Sequence, residues 1–403
     1  MRDKWKSINL VKIADIKRGL PSQDLNYVEN TNEGIRLIRI NDFKSDSPKY
    51  IIETEKTQKL TIKKGDILIA GTGATAGISF LVNDLWDGLP FSYNAPRIRV
   101  KKGNDKNYVY YILNSSKIKQ QQNRLFTGNA QPFLDTRAIG SFKIPLPPLP
   151  EQQKIAEILS TVDAKIEIID QQITETQELK KGLMQQLLTK GIGHTEFKDS
   201  VLGKIPKSWE VVKISKVADV KGGKRIPKGE SLTEEKTSHP YIRVADMFMG
   251  GVSLEKILYV PENIFPIIKK YTISKDDLFI SVAGTLGIVG EIPNELDGAN
   301  LTENADKLSN IKISKLFLLQ VLLSPIIQTA IEREKTNNAQ PKLALAKIRS
   351  FEIPKPSKEE QLKIAEILST TDKKLEVLLE KKTTYQELKQ GLMQQLLTGK
   401  VRV

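Results

Sequence analysis

Four cationic residues lie close together in one glycine-containing segment near the middle of the chain, Lys221-Gly-Gly-Lys224-Arg225-Ile-Pro-Lys228. Lysine and arginine side chains bind phosphate oxygens, and an arginine can donate two parallel hydrogen bonds to O6 and N7 of guanine. The earlier segment Lys17-Arg18-Gly19 carries less charge but similar chemistry. Both loops therefore predict contact with a polyanion, for which nucleic acid is the first candidate.

Three further arginines are candidates for the same contact. Arg39 and Arg243 occupy matched strand-like segments, each followed three residues later by an aspartate. Burial of each arginine against that aspartate is an equally open interpretation. Arg36 stands in a stretch where the two halves of the chain differ, and residues that specify different bases ought to differ.

A glycine-rich turn, Gly71-Thr-Gly-Ala-Thr-Ala-Gly77, follows a predicted strand. Its spacing is GxGxxxG rather than the GxGxxG of dinucleotide-binding loops, so it does not predict cofactor binding. Its backbone amides and Thr72 could instead approach DNA phosphates, as could Thr285 in the corresponding turn of the second half. A purely structural turn is the alternative. The amides of Asn129-Ala-Gln131 and Asn338-Ala-Gln340 could pair with adenine, but their presence in both halves favours a structural role.

Residues for catalysis are scarce in this sequence. There is no cysteine, there are two histidines, and no lysine follows the glycine-rich turn in the way that nucleotide hydrolysis requires. The Asn-Pro-Pro-aromatic segment typical of amino-methyltransferases is absent. We therefore expect no metal site, no cofactor and no nucleotide hydrolysis.

The elements that must position these loops come from a duplication. Residues 151–190 match residues 360–399 at 26 of 40 positions, and both segments have the apolar periodicity of one long helix. Fainter matches keep the same order elsewhere: Trp5 with Trp209, Ala14-Asp15 with Ala218-Asp219, and Ser141-Phe142 with Ser350-Phe351. The chain is therefore a globular unit and a helix, repeated once.

The net charge of +14 is unevenly distributed. Residues 1–150 carry +10 and residues 191–359 carry +4, whereas the helical segments 151–190 and 360–399 carry −2 and zero. Neutral helices with apolar stripes indicate protein contact, and basic globular units indicate contact with nucleic acid. The first residues lack the apolar core of a signal peptide and no segment is long and apolar enough to span a bilayer, so we expect a cytoplasmic protein with no membrane contact.

Each helix of 35 to 40 residues would be roughly 50 to 60 Å long and cannot bury its stripe alone. We expect the two copies to pair antiparallel. Within a globular unit, strand-like segments at 34–40, 65–70 and 96–100 and a helical segment at 107–124 indicate an α+β or α/β domain. The expected fold is therefore α+β, with two similar globular domains separated by a long antiparallel two-helix coiled coil, pseudo-two-fold symmetric. Pairing of each helix with its own globular unit or with another chain is the alternative. The apolar residues assigned to partner contacts on these stripes are Ile155, Leu159, Leu183, Leu187, Ile364, Leu368, Leu392 and Leu396.

Several segments resemble the specificity subunits of type I restriction-modification systems. They are Ile144–Leu159 (IPLPPLPEQQKIAEIL), the spacer 197–223, and the closing GLMQQLLTGKV of 391–401. The second helix is preceded by the less apolar IPKPSKEEQ, which departs from the family pattern. The resemblance covers nearly the whole chain.

The resemblance implies a non-catalytic subunit that reads a bipartite double-stranded DNA target and carries two methyltransferase subunits and the restriction-translocase subunits. It implies target-recognition domains at 1–148 and 193–358 and helical spacers at 149–192 and 359–403. The candidate DNA contacts are Lys17, Arg18, Arg36, Arg39, Thr72, Lys221, Lys224, Arg225, Lys228, Arg243 and Thr285. The rival function is a scaffold whose duplicated helices assemble proteins, with nonspecific nucleic-acid binding.

Overall fold

The computed structural model describes residues 5–29, 32–43, 47–126, 132–335 and 342–403. The chain divides into two compact units, one formed by Met1–Gln171 with Glu380–Val403 and the other by Gln172–Leu379. Each unit therefore combines one globular domain with a part of both long helices. The segments containing Asn129-Ala-Gln131 and Asn338-Ala-Gln340 lie outside the described residues.

The first globular domain is built from short strands and helices. Its strands are β1 (Lys6–Asn9), β2 (Ala14–Lys17), β3 (Tyr27–Val28), β4 (Ile35–Leu37), β5 (Lys49–Ile51), β6 (Ile67–Ile69), β7 (Ser79–Leu81), β8 (Arg97–Val100) and β9 (Lys143–Leu146). Its helices are α1 (Leu10–Ile13), α2 (Glu55–Lys59), α3 (Lys106–Leu113), α4 (Ser116–Phe126) and α5 (Thr136–Gly140), and the first long helix, α6, runs from Leu149 to Leu187. One antiparallel sheet has the order β2-β8-β6-β7, a second has the order β3-β5-β4, and β1 pairs with β9.

The second globular domain repeats this plan. Its strands are β10 (Phe197–Ser200), β11 (Gly203–Pro206), β12 (Glu210–Lys213), β13 (Asp219–Gly222), β14 (Pro240–Ile242), β15 (Met247–Phe248), β16 (Gly251–Val252), β17 (Leu258–Tyr259), β18 (Thr272–Ile273), β19 (Leu278–Ser281), β20 (Val289–Glu291), β21 (Ala299–Leu301), β22 (Ala305–Ser309) and β23 (Glu352–Lys355). Its helices are α7 (Ile214–Val217), α8 (Phe265–Ile268), α9 (Lys315–Leu323), α10 (Pro325–Lys335) and α11 (Leu345–Ser350), followed by the second long helix, α12 (Lys358–Leu396). The sheets have the orders β13-β22-β19-β20, β17-β14-β21-β18, β10-β11, β15-β16 and β12-β23.

Both long helices contribute to the hydrophobic core of each unit. In the first unit the start of α6, including Ile155 and Leu159, packs in one core with Leu396 from the end of α12. In the second unit Leu187 from the end of α6 packs with Ile364 and Leu368 from the start of α12. The apolar stripes are thus buried against the other helix and the adjoining globular domain, as self-pairing predicted.

Ion pairs fix the register between the helices inside each unit. In the first unit Asp163 pairs with Lys389 at 2.5 Å and Asp170 pairs with Lys382 at 2.6 Å. Residue numbers rise along α6 while they fall along α12, so these segments are antiparallel. In the second unit Lys180 pairs with Asp372 at 2.5 Å.

A buried glutamine joins each long helix to the domain before it. The side chain of Gln152 donates to the Pro147 carbonyl at 2.9 Å and accepts from the Asp105 amide at 2.9 Å. Gln361 makes equivalent bonds with the Pro356 carbonyl and the Ser314 amide. The departure from the family pattern before the second helix therefore leaves this junction unchanged.

A glutamate beside each glutamine binds a tryptophan from the start of its domain. Glu151 accepts from Trp5 Nε1 at 3.1 Å and from Arg402 Nη2 at 2.7 Å. Burial acts to raise the pKa of Glu151, but the bonds from Arg402 and Trp5 outweigh it and hold the pKa below its usual value. Glu360 accepts from Trp209 Nε1 at 2.9 Å. The matched tryptophans of the sequence thus anchor each domain to its helix.

One helix expected from the sequence is broken. The pattern predicted a single helix over Asn107–Arg124, but α3 ends at Leu113 and α4 begins at Ser116. The Ser115 hydroxyl donates to the Ile112 carbonyl at 2.6 Å and competes with the helical backbone bonds.

Among the described residues, no single helix is long and apolar enough to cross a membrane, although α9 and α10, bent by 51° at their junction, pass that test together on length and composition.

Candidate nucleic-acid interface

Four segments of the first domain meet beside Lys17 and Arg18. The Leu20 amide donates to the Phe91 carbonyl at 2.8 Å, and the Gly71 amide donates to the Asn94 carbonyl at 2.8 Å. The Leu134 amide donates to the Gly71 carbonyl at 2.7 Å. The end of β2, the glycine-rich turn, the loop before β8 and the segment before α5 therefore form one surface. We call it the first basic surface.

Gly19 is required for this close approach. A Cβ atom at this position would lie 2.0 Å from the Phe91 carbonyl oxygen, far inside contact distance. The neighbouring Arg18 lies over two aromatic rings, with its Cζ 4.1 Å from the Tyr93 ring centroid and 4.9 Å from that of Phe133. The rings of Tyr93 and Phe133 are 40% and 44% exposed, so the cluster is open to a ligand.

The second domain has the same backbone arrangement with other side chains. The Lys224 amide donates to the Leu301 carbonyl at 2.8 Å, and the Val282 amide donates to the Asn304 carbonyl at 2.7 Å. A Cβ atom on Gly223 would lie 2.1 Å from the Thr302 carbonyl oxygen. These contacts bring the cationic loop to the turn that holds Thr285 and to the loop before β22. We call this the second basic surface.

Arg225 and Lys224 have distinct partners on the second basic surface. Arg225 donates through Nε to Glu303 at 2.5 Å, and Glu303 also accepts from the Thr302 hydroxyl at 3.1 Å. The Lys224 ammonium lies 5.7 Å from the Tyr271 ring centroid. Both cations are exposed, so both are accessible to DNA.

A cation-lined cavity of about 440 Å³ lies at the edge strand β13, next to this loop. Gly222, Gly223 and Tyr271 form part of its wall, and its cationic lining residues are Lys221, Lys270, Lys307 and Arg349. The volume and the charge suit a phosphate group or a base edge.

A buried carboxyl group lies opposite Gly222 in the β13–β22 register. Asp306 is 4% exposed, and within the described part of the chain its Oδ2 atom has no hydrogen-bond partner. Burial raises the pKa of Asp306 to about 6, although Lys342 and Arg349 act in the opposite direction. The folded domain therefore holds a proton on this group more tightly than the unfolded chain does.

Replacement of Asp306 by asparagine is expected to stabilise the second unit above pH 6. Because the folded-state pKa is raised above the ordinary value of 3.8, the stability of the natural chain falls as pH rises from about 4 to 6 and stays lower above it. The Asp306→Asn variant lacks this loss, so its free energy of unfolding at pH 8 should exceed that of the natural chain by about 1 kcal/mol. Denaturant unfolding from pH 4 to 8 measures the difference, with exposed Asp276→Asn as control. Parallel stability curves for the natural and Asp306→Asn chains would contradict the prediction.

In the first domain Thr72 pairs with Phe133, whose ring contacts Arg18, the residue after Lys17. In the second domain Lys221, Lys224 and Arg225 lie on β13 and the loop after it, and Thr285 lies in the turn whose Val282 amide donates to Asn304. Lys17 and Lys221 lie on edge strands and pair only weakly, with Asp15 at 4.0 Å and with Asp219 at 3.6 Å. Lys228 is exposed on the loop that continues from Arg225. Their base and phosphate contacts remain predictions.

The three other arginines pair with buried aspartates of their own domain. Arg36 Nη2 lies 3.7 Å from Asp42, and Arg39 Nε lies 3.4 Å from the same carboxyl group. Arg243 donates twice to Asp246, at 2.9 and 2.6 Å. The contacts of Arg39 and Arg243 fit the alternative of burial against an aspartate. Contact of the three arginines with DNA stays a prediction.

Several residues of the two surfaces gave no signal in the sequence. Tyr93, Phe133 and Glu303 acquire their role only because distant segments meet, and each is unremarkable in its own segment. The segment Lys269-Lys270-Tyr271 combines two cations with an aromatic residue and could be noticed in the sequence. It is far in sequence from the glycine-containing loop, so the sequence did not predict the cavity that both segments line.

The apolar residues assigned to partner contacts are used inside each unit. Ile155, Leu159, Leu187, Ile364, Leu368 and Leu396 are buried, and Leu183 and Leu392 pack partly buried against the same cores. The six buried side chains are therefore not accessible to a protein partner within each unit.

Some residues that are identical in the two helices are exposed. Leu179 is 52% exposed and its counterpart Leu388 is 47% exposed. One turn later both helices have an exposed glycine, Gly182 or Gly391, with no atom within 4 Å of a built Cβ. Glycine weakens a helix interior by about 1 kcal/mol relative to alanine, and internal packing does not explain why both copies have it.

The comparisons with known proteins agree with this architecture. A family model described as "Type I restriction modification DNA specificity domain" matches residues 2–178 and 206–390. The chain is similar to the type I restriction enzyme MjaVIII specificity subunit of Methanocaldococcus jannaschii, with 29% identity over 363 residues, 88% of this chain and 83% of the relative. It is also similar to the putative MjaX specificity subunit of that organism, with 30% identity over 386 residues, 91% of this chain and 87% of the relative. The solved S subunit of the type I restriction-modification system from M. genitalium has a TM-score of 0.64 at 19% identity and covers 98% of this chain and 97% of its own.

Proposed function

Because the chain belongs to the family of type I restriction-modification DNA specificity subunits, we propose that its two basic surfaces each bind one half of a bipartite duplex target. One observation carries the proposal. The same backbone arrangement occurs in both domains, yet Arg18 with two aromatic rings occupies the first surface and Arg225 with a glutamate occupies the second. A common scaffold with different side chains suits the reading of two different half-sites.

The paired helices would set the unspecified gap between the half-sites. Helix α6 contains 39 residues and is therefore about 58 Å long. Readers of duplex DNA meet half-sites about 34 Å apart or at multiples of that distance. A spacer of this length would suit half-sites separated by one to two turns.

Binding to random duplex DNA should weaken steeply as salt rises, because bound lysines release counterions from the phosphates. Combined replacement of Lys221, Lys224 and Lys228 by alanine should lower the slope of log affinity against log salt by about 2 to 3. The matched control replaces the exposed helix residues Lys373, Lys374 and Lys381, which removes the same charge elsewhere. Fluorescence anisotropy measures both slopes. A flat salt response of the natural chain would contradict phosphate binding by these lysines.

The exposed repeats on the helices would dock two copies of one partner, the methyltransferase subunit, and the restriction-translocase subunits would join this complex. Two equivalent surfaces on one chain favour a partner present twice. We propose that methylation and cleavage are catalysed by these partners, and we place the complex in the cytoplasm with the DNA that it reads.

Replacement of Gly182 and Gly391 by leucine is expected to weaken methyltransferase docking at least about tenfold, because a side chain would prevent close backbone approach. The helices should not be destabilised, since leucine is a better helix former than glycine. Copurification of the methyltransferase subunit and thermal unfolding are the two measurements. Lys181→Leu, at an adjacent exposed position where the copies differ, is the control. Normal copurification by the double leucine variant would exclude this surface.

A further inference from the structure

Tyr93 of the first domain and its equivalent in the second, Glu303, each contact an arginine, but by different chemistry. Leu20 donates its amide to Phe91, and Lys224 donates its amide to Leu301. Phe91 and Leu301 are therefore equivalent, and two residues later Tyr93 corresponds to Glu303. Tyr93 contacts Arg18 and Glu303 contacts Arg225.

In the first domain the arginine is held through the face of its guanidinium group. The Cζ atom of Arg18 lies 4.1 Å from the Tyr93 ring centroid and 4.9 Å from the Phe133 centroid. Such contacts orient the planar group while its N–H donors remain in the plane. The rings limit the rotation of Arg18 without occupying its donors.

In the second domain the arginine is held at one edge. Glu303 accepts from Arg225 Nε at 2.5 Å, and the Thr302 hydroxyl orients the same carboxylate. The Arg225 side chain is 74% exposed, so its two Nη groups remain accessible. These are the donors that an arginine offers in a bidentate contact.

We propose that Arg18 and Arg225 each read a guanine, one in each half-site, and that Tyr93 with Phe133 and Glu303 are the residues that position them. This inference rests on the proposed DNA-binding function. O6 and N7 of guanine present two neighbouring acceptors in the major groove, which match two arginine donors. The other bases lack this pair of acceptors on that edge.

Charge distinguishes this role from phosphate binding. The Glu303 carboxylate neutralises Arg225 and would repel a phosphate at the same place, whereas an uncharged guanine edge meets no such repulsion. The exposed rings beside Arg18 likewise favour a base or sugar over a strongly hydrated phosphate. Phosphate contacts are left to the lysines around each arginine, including Lys17 and Lys228.

Selection from a pool of random DNA duplexes with the full-length chain tests the inference. Arg225→Ala should reduce the preference for one guanine by about tenfold or more in one half-site and leave the other half-site unchanged. Arg18→Ala should do the same in the other half-site. The salt slope of each variant should stay within about 0.5 of the natural value, since a lost phosphate contact lowers it by about 1.

The positioning residues have their own readout. Tyr93→Ala should reduce the preference for guanine at the same position of the half-site as Arg18→Ala does. Tyr93→Phe keeps the ring, so this variant should retain the preference. Glu303→Gln should weaken the preference for the guanine that Arg225 contacts. It should also increase the slope of log affinity against log salt, because a negative charge is removed. Lys228→Ala is the phosphate control, and it should weaken all sequences equally.

The results of the selection distinguish failure of guanine reading by the arginines from failure of the proposed DNA-binding function. If the natural chain enriches two half-sites but the arginine variants weaken every sequence uniformly with a lower salt slope, the arginines bind phosphate and the inference is wrong. If the natural chain enriches no sequence at all, the proposed DNA-reading function fails, and the inference fails with it.

Discussion

The Gly223→Ala variant is expected to lose the second basic surface and to keep the first. A Cβ atom at this position would lie 2.1 Å from the Thr302 oxygen and 2.4 Å from the Leu301 oxygen. Both are backbone atoms, so no side-chain rotation can relieve the overlap. The chain must instead move and break the bond from the Lys224 amide to Leu301.

This displacement should cost about 1 to 3 kcal/mol of stability in the second unit. It also separates Arg225 from Glu303, so affinity for target DNA should fall at least tenfold. Thermal unfolding and DNA titration measure the two effects.

The adjacent Gly222→Ala variant is the matched control for Gly223→Ala. Its Cβ would lie 3.4 Å from Asp306 Oδ1, which is an ordinary contact distance. Gly222→Ala should therefore fold with little loss of stability. Equal behaviour of the two alanine variants would show that the close approach at Gly223 is not needed. In the first domain Gly19→Ala should reproduce the Gly223 result, because the Phe91 oxygen is equally close.

The Glu360→Ala variant is expected to lose about 3 kcal/mol of unfolding free energy in the second unit. Glu360 accepts from Trp209 Nε1, from the Ile192 amide and from His194 Nε2, each at 2.9 Å. The Trp209 side chain is fully buried, so alanine leaves its indole N–H without an acceptor in the interior. An unsatisfied buried donor costs more than the lost hydrogen bond alone.

Denaturant unfolding of the full-length chain measures the effect of Glu360→Ala. Glu359→Ala is the matched control, since it removes the same charge at the adjacent, exposed position. The control should change stability by less than about 0.5 kcal/mol. Equal stability of both variants would contradict the role assigned to Glu360.

The helical half of the fold could be predicted because its signal is local and repeated. Apolar residues such as Ile155 and Leu159 recur at helical spacing, and 26 of 40 positions return in the second copy. Their need for burial predicted the pairing of the two helices that is found in each unit. The identical glutamines at 152 and 361 could be noticed but not explained, because their partners are carbonyl and amide groups brought in by folding.

The candidate site could be predicted only in part. The cationic loop is continuous in sequence, so Lys224 and Arg225 could be recognised from composition. Glu303 lies 78 residues from Arg225 and Tyr93 lies 75 residues from Arg18, so no local pattern joins them. Arg39 and Arg243 were ambiguous because a cation near an aspartate suits either DNA or an internal ion pair, and the structure shows the ion pairs.

The proposed function requires two dissimilar basic surfaces that read one duplex. Selection from random duplexes by the natural chain tests this requirement most directly. The predicted result is two short, different half-sites separated by a gap of constant length and unspecified sequence. A single uninterrupted motif, or recovery of the input pool without enrichment, would contradict it.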